Sequence, residues 1–174
     1  APVATQTPAV PRVPVTSTTV QAPDNTITPA NLEGYRQISP DKIPGNIYKM
    51  LSENWMLITA GNDAQYNMMT ASWGGAGVFW GKPAVTCYIR PQRYTKEFID
   101  KSDKLSLSFF DDSWRKMLNY MGTVSGRDED KIAASGLHVE MVNSAPVFKE
   151  SRMAIICRKL YEQPMTEESF LDKG

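Results

Sequence analysis

The chain has 174 residues, 41% of them apolar, with 19 basic and 19 acidic side chains and so no formal net charge. That length suits one domain with appendages, and the balanced charge supplies no long-range field for nucleic acid or an anionic membrane. Two cysteines and one histidine exclude a disulfide framework and the usual zinc patterns, and no run reaches the roughly 18 apolar residues of a membrane span.

Residues 1–30 hold six of the twelve prolines and seven threonines, no aromatic residue, and only Arg12 and Asp24 as charges. Proline fixes φ and removes a backbone donor, so neither a helix nor a central strand suits this stretch. The composition predicts a disordered Pro/Thr-rich leader or linker over 1–34. It begins at Ala1, without a charged or apolar signal region. It therefore reads as the spacer of an exported or cell-envelope-tethered bacterial protein, with a cytoplasmic protein trimmed at its start as the alternative.

The domain is expected over 35–174. Pro40, Pro44 and Gly45 punctuate an opening loop, and residues 46–53 suit a short helix with Ile47, Met50 and Leu51 on one face. Residues 55–60 and 67–73 read as a hairpin around the Gly61-Asn62-Asp63 turn, and Gly74 to Gly77 reads as a break. A third strand is predicted over 83–90, and a short helix opens at Tyr94-Thr95. In 104–110, Leu105, Leu107 and Phe109 alternate with serines, the pattern of a half-buried strand. Trp114, Met117, Leu118 and Met121 repeat at helical spacing, and that face belongs to a core. Asp111, Asp112 or Ser113 can cap the start of this helix, and Gly122 suits a left-handed C-cap. A further short helix over 128–135 ends at Gly136, and strands follow over 138–142 and 153–161. About five or six strands with short helices between them predict a mainly β fold with helical inserts, an antiparallel barrel rather than a doubly wound parallel sheet. Cys87 and Cys157 read as buried free thiols, with one bridge between them left open. His138, in an alternating stretch, reads as a surface residue rather than a catalytic base.

Two constellations can carry chemistry. Thr70, Ala71, Ser72 and Gly74 are small, and a strand edge of small residues lets a flat ring lie against the backbone; the same residues also read as an ordinary strand end. Gly75-Ala76-Gly77 is no dinucleotide fingerprint, because Trp80 stands where the third glycine belongs. In Arg90-Pro91-Gln92-Arg93-Tyr94-Thr95, two guanidinium groups and a hydroxyl precede a helix N-terminus. Such a start attracts anions, and arginine forks match phosphate oxygens. A solvated basic turn is an equal reading of the same residues. If the strands from 67 and from 83 are neighbours, the two constellations share one rim and suit a mononucleotide.

Residues 67–95, NMMTASWGGAGVFWGKPAVTCYIRPQRYT, resemble the signature of the flavin reductase-like FMN-binding split barrels, the flavoredoxin-type branch in particular. LSLSFF at 105–110 and SGRDEDKIAASGL at 125–137 continue in the same order, so the resemblance covers roughly 45–165. It implies an antiparallel split β-barrel and a homodimer that holds FMN at the subunit interface. It implies that Thr70, Ala71, Ser72 and Trp73 border the isoalloxazine ring, and that Arg90, Gln92, Arg93, Tyr94 and Thr95 surround the ribityl phosphate. Ser125 and Lys131 match a second motif, although a helix-surface ion pair is the plainer reading of Lys131. The family continues past this point, so a domain lacking its last strand is expected here. The activity implied is NAD(P)H-dependent flavin reduction, with hydride passing to flavin N5 and no catalytic side chain or metal, since the cofactor carries the chemistry. An FMN-holding electron-transfer protein reduced by a protein partner is the alternative, and a split barrel holding another group, such as haem or pyridoxal phosphate, is a third.

Overall fold

The computed structural model describes residues 34–172, so the leader expected over 1–34 lies, but for Gly34, outside the described residues. Asn46 starts the ordered core, its side-chain oxygen accepting from the N–H groups of Tyr48 and Lys49. It caps α1 (Ile47–Lys49), which widens into a π turn over Met50–Asn54. The strands among the described residues are β1 (Met56–Gly61), β2 (Tyr66–Ala71), β3 (Gly74–Phe79), β4 (Lys82–Cys87), β5 (Lys104–Phe109), β6 (Val139–Val142), β7 (Ala145–Phe148) and β8 (Met153–Arg158). The remaining α-helices among the described residues are α2 (Tyr94–Lys101), α3 (Arg115–Thr123) and α4 (Lys131–Ser135).

Four strands form one antiparallel sheet in the order β2-β1-β5-β8. Asn62 closes its first hairpin, its N–H reaching the Gln65 carbonyl while its side chain accepts from Ala64 and Gln65. β1 is central and buried on both faces, so its pattern is a run of buried residues, apolar but for Thr59, rather than an alternation. Met56, Ile58 and Ala60 pack on one side with Met69, Leu107, Phe109 and Ile99 of α2. Leu57 faces the other side with Met68, Phe148 and the α3 residues Met117, Leu118 and Met121. The helical spacing in α3 therefore marks core, as expected.

Two hairpins, β3–β4 and β6–β7, stand apart from the main sheet. The glycines expected to break the chain instead form β3, with Gly74 paired to Cys87 and Phe79 to Lys82. Its closure is a two-residue turn, Trp80-Gly81, in which both residues have positive φ (50° and 70°). The primed hairpin turn requires that geometry. Asn143 and Ser144, with φ of 50° and 63°, close β6–β7 the same way, and β7 goes unforeseen in the sequence. Gly122 is no left-handed cap. It lies inside α3, where an added Cβ would sit 3.3 Å from the Thr70 Cβ, so the helix can approach β2 closely. Gly136 does take the left-handed cap conformation of α4, at φ 73°.

Candidate cofactor site

The segment after β4 folds back and enters α2 at Tyr94. Arg93 precedes the helix in extended conformation, leaving the first N–H groups of the helix free to meet a ligand. Thr95, 1% exposed, accepts at its hydroxyl from the Asn67 side chain of β2 at 2.9 Å. That bond and the packing of Ile99 fix α2 against the sheet. The strands from 67 and from 83 are not paired neighbours, since β2 pairs with β1 and β4 with β3. The helix start, not strand pairing, brings 67–69 and 90–95 together.

A third segment completes the cleft. The loop after α3 brings Thr123, Val124, Ser125 and Gly126 to it, and Lys131 follows at the start of α4. Asp130 caps that helix by accepting from the N–H groups of Ile132 and Ala133. Gly126 is needed for closeness: a Cβ there would stand 2.2 Å from the Asn67 oxygen. Outside the cleft, Arg127 lies over the Tyr94 ring at 4.5 Å and pairs with Glu97.

The cleft encloses about 190 Å³ and carries three cations, Arg90, Arg93 and Lys131, with no carboxylate in its lining. That is below the ~300–1,000 Å³ of pockets that engulf a whole drug-sized ligand, so it fits the anionic end of a larger molecule. Arg93 donates from Nη1 to the Gly122 carbonyl at 2.7 Å. Its Nε is buried and has no partner among the described residues. Burial, and then the Arg90 charge, pull the Arg93 guanidinium below its usual range; an anion would relieve both effects.

All five residues expected around a phosphate, Arg90, Gln92, Arg93, Tyr94 and Thr95, line this cleft. The four expected along a ring do not. Thr70 is half-buried and donates its hydroxyl to the Leu118 carbonyl. Ala71 is 8% exposed and packs in the core. Ser72 is half-buried, and Trp73 is 61% exposed. Lys131 departs most from expectation: it is 4% exposed, forms no helix-surface ion pair, and donates to the Met68 and Met121 carbonyls. Asn67, Met69, Thr123 and Val124 escape the sequence reading, and Ser125 entered it only as part of the second motif, because no local pattern marks residues that meet only after folding. His138 is a surface residue, its ring nitrogen 2.6 Å from Glu150. Cys87 and Cys157 are free thiols.

An open antiparallel sheet flanked by hairpins, with a cationic cleft where α2 and α4 begin, defines a split barrel. A model of the flavin reductase like domain matches residues 48–170, and the chain belongs to that family. No curated protein matches it. Among solved structures it is similar to the flavoredoxin of Desulfovibrio vulgaris (Miyazaki F), with 25% identity over 63% of this chain and 61% of that one and a TM-score of 0.58. It is also similar to the flavoredoxin of Methanosarcina acetivorans, with 26% identity over 64% of this chain and 60% of that one and a TM-score of 0.58. The chain thus spans about three-fifths of the length of both flavoredoxins. The FMN-binding protein of Thermus thermophilus with bound p-hydroxybenzaldehyde shares the fold, with 21% identity over 77% of this chain and 73% of that one and a TM-score of 0.59.

Proposed function

We propose that this chain holds FMN, with the phosphate in the cleft beside Arg93 and the ring along Thr70, Ala71, Ser72 and Trp73. One observation carries the reading: the buried Arg93 Nε lacks a partner among the described residues, in a cleft of three cations without a carboxylate. A phosphate monoester supplies acceptors for that atom, for the Thr95 hydroxyl and for the free N–H groups at the start of α2. The chain direction suits the rest of the molecule. Asn67 and Met69 line the cleft, and the same strand runs on to Ala71, about 7 Å beyond Met69 at the usual rise of a strand, just before Ser72 and Trp73. Ser72 and Trp73 keep exposed surface there, where a ring can lie against the backbone.

When bound, FMN supplies the redox chemistry, so the chain's own work is to bind, orient and shield it. We read the activity as NAD(P)H-dependent flavin reduction, which the family match supports. A flavoredoxin-like electron carrier is the second reading, favoured by the two flavoredoxin neighbours. A homodimer belongs to the proposal too, since Val78 and Trp80 on the β3–β4 hairpin and Tyr161 are 78%, 73% and 63% exposed, an apolar surface that a second copy can cover.

An absorbance spectrum after incubation with FMN and removal of free flavin tests the first claim. A flavin spectrum that survives gel filtration is expected; a colourless protein sinks it. NADH or NADPH oxidation with added FMN separates the two activities. Consumption of either nucleotide is expected for the reductase, and a flavin-loaded protein that consumes neither is the carrier.

A further inference from the structure

Lys131 is a buried cation whose bonded partners among the described residues are neutral oxygens. Nζ donates to the Met68 carbonyl at 2.6 Å and to the Met121 carbonyl at 3.2 Å. β2 is an edge strand, paired with β1 alone, so this lysine satisfies a carbonyl that no neighbouring strand reaches. Two carbonyls use two of the three ammonium donors. Among the described residues no carboxylate pairs with Lys131, while Arg93, also cationic, shares the cleft with it. Carbonyl dipoles satisfy N–H groups but do not neutralise a charge. The complement missing from this corner is an anion.

We propose that Lys131 joins Arg90 and Arg93 as a cation of the phosphate site, and that its amine takes up a proton from solvent as a phosphate monoester dianion enters. This rests on the FMN reading above and adds to it a proton linkage that phosphate-free riboflavin would not show. Burial and then the Arg93 charge pull Lys131 down to about 8. A neutral amine still has two N–H donors, enough for Met68 and Met121 together. The third proton arrives with the phosphate, whose opposite charge favours the ammonium. The other titratable groups nearby are Arg90, Arg93 and Tyr94 in the cleft lining. Glu129 and Asp130 precede Lys131 in the chain and act on Tyr120 of α3, whose phenol is pushed up by burial first. Between about pH 7 and 9 the phosphate, with a second pKa near 6, is already a dianion. In that window the lysine is the group that responds.

Calorimetric titration of FMN and of riboflavin into the intact protein, in two buffers of different ionisation enthalpy, reads the linkage directly. At pH 8 the expected uptake is about half a proton per FMN and none per riboflavin. Between pH 7 and 9 the dissociation constant for FMN is expected to rise about tenfold, while Lys131→Arg, which stays charged, holds it constant. FMN binding without proton uptake, or an equal pH dependence for riboflavin, overturns the role of Lys131 and leaves the cofactor reading standing. Failure of FMN to bind at any pH overturns both.

Discussion

Arg93 shows how much one atom can decide. Its guanidinium is anchored at one end by the Gly122 carbonyl and open at Nε, so it is held in place before any ligand arrives. Charge-assisted bonds of this kind contribute about 1.5–3 kcal/mol each. Arg93→Ala is therefore expected to weaken FMN binding by about ten- to more than a hundredfold, read by flavin titration; unchanged affinity would place the phosphate elsewhere. The two thiols set a different dependence. Burial pushes Cys87 up to about 11, and burial and then Cys87 push Cys157 up to about 12. A raised folded-state pKa contributes stability that is whole below the unfolded value near 9 and is lost as pH climbs toward the folded one. Between about pH 9 and 11 each thiol should remove about 1.4 kcal/mol of stability per pH unit. Urea midpoints across that range should fall steeply for the wild type and less for Cys87→Ala/Cys157→Ala; equal slopes would refute the assignment.

At the scale of elements, the cleft depends on short pieces held by caps and close approaches. α4 spans only Lys131–Ser135, and the Asp130 side chain caps its first turn. Asp130→Ala is expected to cost about 1 kcal/mol of stability and to loosen FMN binding by shifting the helix that carries Lys131. A chemical denaturation series and a flavin titration on one preparation check both. Gly126→Ala places a methyl group against Asn67, whose side chain holds Thr95. Overpacking of this sort costs about 1–3 kcal/mol, so the thermal midpoint should drop, and a wild-type midpoint would mean that the loop yields freely. The hairpins explain two misreadings of the sequence. A run of glycines reads as a break because glycine lacks strand propensity, yet Trp80-Gly81 closes a turn that pairs all of β3 with β4. β7 hides for a different reason: it is short and holds a proline, and the turn before it is marked only by the positive φ of Asn143 and Ser144.

On the scale of the whole molecule, an open sheet of four strands carries separate cores on its two faces, and the cleft opens where β2, α2 and α4 meet. The β3–β4 hairpin carries Trp80 at its tip. If a second copy covers that surface, sedimentation should give a dimer for the wild type and a monomer for Trp80→Asp. A monomeric wild type would remove the homodimer from the proposal.

The amino-acid order alone determined the elements whose physics is local. Alternation in 104–110, helical spacing in 114–121 and turn residues at 61–63 each act within a few neighbours, and the structure keeps all three. That the five residues at 90–95 share one cleft was legible for the same reason, since they are nearly contiguous. Only tertiary structure decided that Lys131 is buried, because its partners Met68 and Met121 lie 63 and 10 residues away. Asn67 and Gly126 likewise became part of the cleft through approaches that no local pattern encodes. A charged side chain reads as surface until the fold closes over it, and here two backbone carbonyls, not a carboxylate, receive it.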